Sequence, residues 1–145
     1  QTMAWIYDTY SMKVGYACPE IVTGKPVEIG GCVGRREATG RGVTYCILQA
    51  LDELGIDPGQ STAVVQGFGN VGSVTCDELV ARGVKIVAVG DRYGAVRNPK
   101  GLNLPALHKH VAAHPQKSVA GFPEGEAIAA DELLTQKCTI LVPAA

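Results

Sequence analysis

Residues 62–91 constrain this chain more than any other stretch. Thr62-Ala63-Val64-Val65-Gln66 is a short apolar run, and Lys85-Ile86-Val87-Ala88-Val89 is another. Between them, residues 70–82 read as a helix introduced by Gly67-Phe68-Gly69-Asn70-Val71-Gly72. A strand, a glycine-rich turn, a helix and a second strand form one unit, and each glycine in it has a task. Gly67 permits the tight turn out of the strand. Gly69 has no side chain, so a pyrophosphate can approach the backbone. Gly72 shares a helix face with Cys76, Leu79 and Val80, where a missing Cβ lets helix and sheet pack closely. The N–H groups of Phe68, Gly69, Asn70 and Val71, with the helix dipole behind them, are the expected phosphate donors. Asn70 is the expected helix N-cap and a polar contact to phosphate or ribose. The unit predicts a nicotinamide dinucleotide site.

Asp91 closes the second strand about 20 residues past the glycines, where a carboxylate holding the adenosine ribose hydroxyls is expected. Arg92 follows it directly. A carboxylate repels the extra phosphate of NADP, whereas a guanidinium grips it. The expected cofactor is therefore NAD or NADP, with NAD mildly preferred.

The bulk properties narrow the remaining classes. A net charge of −1 over 145 residues leaves no surplus of positive charge for a nucleic acid, and no nucleic-acid partner is expected. No apolar run approaches the ~20 residues needed to cross a bilayer. Five cysteines, odd in number and without a C-x-x-C pair, argue against a disulfide framework or a zinc site and for a reducing compartment. A cytoplasmic location and no metal site are the corresponding expectations. His108, His110 and His114 read as solvated helix residues, with no carboxylate or cysteine at metal spacing.

Along the chain, residues 3–13 and 37–54 show helical periodicity, the second with Val43, Ile47, Leu48, Leu51 and Leu54 on one face. Residues 17–34 dissolve into glycine- and proline-rich loop. After residue 91 come a hairpin or irregular excursion over 94–101, helices near 104–113 and 131–136, and a strand over 139–142. Strands alternating with helices predict an α/β fold, the first half of a Rossmann-type doubly wound parallel sheet preceded by helices. Half of such a sheet leaves a strand edge and an apolar face to be covered, by a longer protein or by a dimer.

The run from Thr23 (TGKP, then Gly30-Gly31) and GRREATGRG over residues 34–42 are not needed by a generic dinucleotide fold. With the tryptophan helix (Trp5), QGFGNVG, NPKG, GFP and ILVPAA, they give the chain a resemblance over essentially its whole length. It resembles the glutamate dehydrogenases of the Glu/Leu/Phe/Val dehydrogenase superfamily. The resemblance implies that Thr39 binds the nicotinamide carboxamide and that Arg35 lines the inter-domain cleft. It also implies that Asn70 serves the dinucleotide loop and that Pro143, Ala144 and Ala145 flank the cofactor. It divides the chain into residues 1–34 from the substrate-domain and hinge region, and residues 35–145 from the dinucleotide-binding domain.

The activity so implied is reversible oxidative deamination of L-glutamate to 2-oxoglutarate and ammonia by a homo-oligomer, hexameric in the full enzyme. Its partners are a small-molecule dinucleotide and an amino-acid or 2-oxo-acid substrate. In that family the acid–base lysine and aspartate lie upstream of the segment matched here. The chain reads as an internal fragment with no catalytic residue of its own, inactive by itself. The alternatives are a non-catalytic dinucleotide-sensing module and a leucine- or phenylalanine-type dehydrogenase.

Overall fold

Three consecutive apolar residues on a strand present side chains to both of its faces, so such a strand belongs inside a sheet covered on two sides. In the computed structural model this is β1 (Thr62–Gln66), and Ala63, Val64 and Val65 are fully buried. The structure describes Gln1–Ala145, which separate into two compact units, Gln1–Thr39 and Gly40–Ala145.

The first unit holds α1 (Thr2–Val14), which ends at Gly15 in the left-handed conformation. No residue of α1 is buried, and Trp5 and Met12 are 60% and 71% exposed. The TGKP stretch after it closes on itself. Lys25 Nζ donates to the carbonyls of Pro19 (2.6 Å) and Val22 (2.7 Å), and Gly31 N–H donates to Pro26 O. A Cβ on Gly31 would stand 2.0 Å from the Lys25 carbonyl, which accounts for a glycine there.

α2 (Arg35–Glu53) carries the chain from the first unit into the second. Thr44 and Leu51 are buried on it, with Val43 and Ile47 packed beside the core. Leu54, expected on that face, lies beyond the helix and is 71% exposed. Gly40 sets the approach of α2 to α3 (Asn70–Val80): a Cβ there would fall 2.7 Å from Val74 Cβ. The Gly40 carbonyl accepts from the hydroxyls of Thr44 (3.0 Å) and Thr75 (3.4 Å), both completely buried. Arg41 and Arg82 both bond Glu78 and hold its carboxyl below the usual carboxylate range, the Arg82 hydrogen bond foremost.

The sheet runs β4-β3-β2-β1-β5. β1 pairs in parallel with β2 (Lys85–Asp91) and β5 (Ile140–Pro143). The doubly wound α/β class is therefore as expected, with one difference. The excursion after Asp91 is β3 (Gly94–Arg97), antiparallel to β2, and it recruits a further antiparallel strand, β4 (Glu126–Ile128). The tight Arg92-Tyr93 link reverses the chain, which makes an antiparallel neighbour the only geometry available.

α4 (Leu104–Ala113) starts at Asn103, whose side chain accepts from Ala106 N–H, and Pro105 sits in its first turn as expected. Residues 131–136 supply only a 3₁₀ turn, Leu133–Thr135. The larger core cluster combines Leu51, Leu79 and Leu107 with sheet residues such as Val65, Ile86 and Val142. A smaller one gathers Val64, Ala88 and Ala95 around Leu133. The chain passes outward from β1 through β2, β3 and β4, then returns to β5 on the opposite side of β1. That reversal puts the crevice for a ligand outside the carboxyl ends of β1 and β5.

Candidate functional site

The ladders run to the ends of the three parallel strands and fix the loops beyond them. Gly67 N–H donates to Gly90 O and Ala144 N–H donates to Gln66 O, each at 2.7 Å. Gly67 has φ +95, and a Cβ there would meet Ala144 O at 2.5 Å. The turn out of β1 is thus both left-handed and pressed against the end of β5, conditions that only glycine meets. Gly72 is equally enclosed, since its Cβ would lie 1.8 Å from Gly67 O and 3.3 Å from Val65 Cγ1.

Gly69 is the opposite case, with no atom within 4 Å of where its Cβ would be. It is the N-cap of α3, and no side chain caps that helix end. Asn70, expected to be the cap, is instead the first helical residue, followed by Val71, because the turn places the extended residue one position earlier. The space beside Gly69, at the start of this helix, is therefore open. That space fits a phosphate held by backbone donors and the helix dipole.

A cleft of about 330 Å³ lies over this turn. It gathers Gly67, Phe68, Gly69, Asp91, Arg92, Ala144 and Ala145, seven of the residues singled out in the sequence. Pro143 is the exposed last residue of β5 beside them. Arg35 and Thr39 belong to the other compact unit, exposed on the first two turns of α2. Tyr93, Gln116 and Lys117 also line the cleft. No local sequence signal marks the last two, because a fold-level contact brings their loop to Asp91.

That contact is specific. Asp91 Oδ1 accepts from the N–H groups of Tyr93 (2.8 Å) and Gly94 (3.2 Å) and from the Ser118 hydroxyl (3.1 Å). Oδ2 accepts from Val119 N–H at 2.8 Å. The first two bonds close the β2–β3 turn, and the other two clamp residues 118–119, both completely buried, to the strand end.

The histidines are not simply solvated. His108 Nε2 lies 2.9 and 3.1 Å from the Asp77 oxygens, and its ring packs on Phe68 of the glycine turn with centroids 5.1 Å apart. His110 Nε2 is 2.8 Å from Ala120 O, and its ring meets Phe122 edge-on. Spacing along one chain does not show a carboxylate on the neighbouring helix. No group of three or more histidine, cysteine, aspartate or glutamate side chains comes together as a metal site. All five cysteines are free thiols, and burial pushes that of Cys76 far up.

Fold and cleft together define a doubly wound α/β protein with its crevice at the switch point of the sheet. The model of the Glutamate/Leucine/Phenylalanine/Valine dehydrogenase family matches residues 30–145, and the chain belongs to that family. It is 50% identical over 145 residues to a glutamate dehydrogenase of Thermotoga maritima, covering 99% of this chain and 34% of the relative. It is 47% identical to glutamate dehydrogenase A2 of Halobacterium salinarum, covering 100% of this chain and 34% of that one. The hetero-hexameric glutamate dehydrogenase of Thermus thermophilus superposes with a TM-score of 0.85 at 35% identity, over 99% of this chain and 33% of its own. The chain thus spans about a third of the length of the relatives it matches.

Proposed function

We propose that the cleft binds a nicotinamide dinucleotide and that the chain is the cofactor-binding portion of a glutamate dehydrogenase. The observation that carries this reading is the open space at Gly69, at the N-terminus of α3 and the carboxyl end of the central strand. The pyrophosphate lies against residues 67–72 (Gly67, Phe68, Gly69, Asn70, Val71 and Gly72), and the adenosine extends toward Asp91 and Arg92. Pro143, Ala144 and Ala145 flank the cofactor at the end of β5. Thr39 and Arg35 take the nicotinamide carboxamide and the inter-domain cleft, as family members use the matching residues. Residues 1–34 then belong to the substrate-domain and hinge region, and 35–145 to the dinucleotide-binding domain.

When bound, the nicotinamide supplies the hydride acceptor for oxidation of L-glutamate to 2-oxoglutarate and ammonia. The chain's own residues bind and orient it. The acid–base groups are not in the matched segment, so this chain binds cofactor without turning over glutamate. The full protein works as an oligomer in the cytoplasm.

The expected result is binding of NADH or NADPH by this chain, seen as enhanced cofactor fluorescence. Glutamate-dependent cofactor reduction is expected only in a version extended at both ends. Binding without activity in the extended protein would favour a sensing module instead. Activity there with leucine or phenylalanine in place of glutamate would move the assignment within the family.

A further inference from the structure

Lys117 is the only residue other than glycine with a positive φ, +53. A long side chain is unfavourable in that region, and such a residue persists where its surroundings impose it. Here they do. Lys117 N–H donates to His114 O at 2.9 Å, and the two following residues are clamped to Asp91 through the Ser118 hydroxyl and Val119 N–H. Glycine would hold this turn without strain, so the turn by itself does not call for lysine.

Lys117 and Arg92 line the same cleft as Asp91. Neither is in an ion pair. The Lys117 ammonium donates to the carbonyl of Ala112, and Arg92 lies 4.6 Å over the Tyr93 ring and donates to its hydroxyl at 2.5 Å. These partners are neutral oxygens, which an incoming phosphate can outcompete as an acceptor.

The acidic group that shares the cleft with these two cations is already engaged. Gripping both ribose hydroxyls takes an acceptor site on each carboxylate oxygen, and a carboxylate offers roughly four in all. Asp91 Oδ1 already serves three donors and Oδ2 one, so the free capacity lies on Oδ2 alone. Asp91 thereby acts as the anchor of the loop that carries Lys117. A phosphate monoester with a charge of about −1.5 to −2 finds two cations and one hydrogen-bonded carboxylate at this end of the cleft.

We infer that Lys117, with Arg92, makes the adenosine end of the cleft a phosphate-reading site, so that a 2′-phosphorylated dinucleotide is preferred to its unphosphorylated counterpart. This rests on the dinucleotide reading above, and it reverses the lean toward NAD that an open Asp91 carboxylate implies.

The test is calorimetric titration of the full-length protein with NADP⁺ and with NAD⁺, alongside thermal melts. The wild type is expected to bind NADP⁺ about tenfold or more tightly than NAD⁺. Lys117→Gly should weaken NADP⁺ by a similar factor and leave NAD⁺ unchanged, with a melting midpoint unchanged or raised because the strained backbone is relieved. Lys117→Gln keeps the strain and removes only the charge, and should lose the same preference. Equal affinities in the wild type, or tighter NAD⁺, would overturn the inference while leaving the dinucleotide reading intact. So would a Lys117→Gly variant that weakens both cofactors and melts earlier, since Lys117 would then serve only the end of α4. If neither cofactor binds, both readings fall together.

Discussion

Replacing Gly72 with alanine is expected to lower the stability of the second unit by about 2 kcal/mol and to abolish dinucleotide binding. Two effects of opposite sign compete. In a helix, alanine is favoured over glycine by about 1 kcal/mol. Against that, the new methyl would stand 1.8 Å from Gly67 O, a backbone atom. The turn cannot yield cheaply, because Gly67 N–H is bonded to Gly90 O at 2.7 Å and Ala144 O occupies the side where a Gly67 Cβ would lie. Overpacking costs about 1–3 kcal/mol, and an immovable neighbour puts this case at or beyond the top of that range. The clash wins, and the helix must lift from the turn and carry its N–H groups away from the phosphate position. Denaturant unfolding decides the sign: a variant more stable than wild type would mean that α3 does not approach the turn so closely.

Asp91→Ala is expected to cost about 3 kcal/mol and to weaken NAD and NADP together. Four donors lose their acceptor at once, and two of them, on Ser118 and Val119, belong to wholly buried residues. A buried donor left unpaired costs roughly 1–3 kcal/mol, with the lower figures for groups that water reaches through the half-open cleft. Release of the loop removes one wall of the cleft whichever cofactor is offered. A carboxylate whose main work was to hold ribose hydroxyls would instead lose NAD selectively and leave the melting transition near its wild-type position. Titration with both cofactors, read beside hydrogen exchange over residues 116–119, separates the two roles.

These residues also mark what the sequence discloses and what it does not. The unit around β1, α3 and β2 is legible because its periodicity switches from strand to helix and back, with glycines at the switch. The steric demands at Gly67 and Gly72 match the tasks assigned to them from spacing alone. At Leu54 the apolar periodicity continues past the end of α2, so the sequence extends the helix further than the structure does. β4 is silent in the sequence because Glu126-Ala127-Ile128 is short and lies mostly exposed, with no alternating pattern to carry a signal. The second job of Asp91 and the position of Lys117 depend on a contact between segments 27 and 28 residues apart. Nothing local encodes a left-handed lysine, and nothing in α3 or α4 alone announces that His108 will meet Asp77 and Phe68. Local chemistry made the cradle readable, whereas the wall that faces it is a product of the fold.

Gly69 offers the most direct test of the central claim, because its Cβ position is empty and its φ of −86 admits any residue. Titrating the Gly69→Val variant with NADPH, with a thermal melt of the same sample, asks whether the pyrophosphate occupies that space. The expected result is a loss of affinity on the order of 100-fold, about 2.7 kcal/mol, as the side chain fills the phosphate position. Folding stability should fall by no more than about 1 kcal/mol, the cost of exchanging glycine for valine at a helix N-cap. Wild-type affinity in a normally folded Gly69→Val protein would contradict the assignment and place the dinucleotide, if it binds, away from the glycine turn.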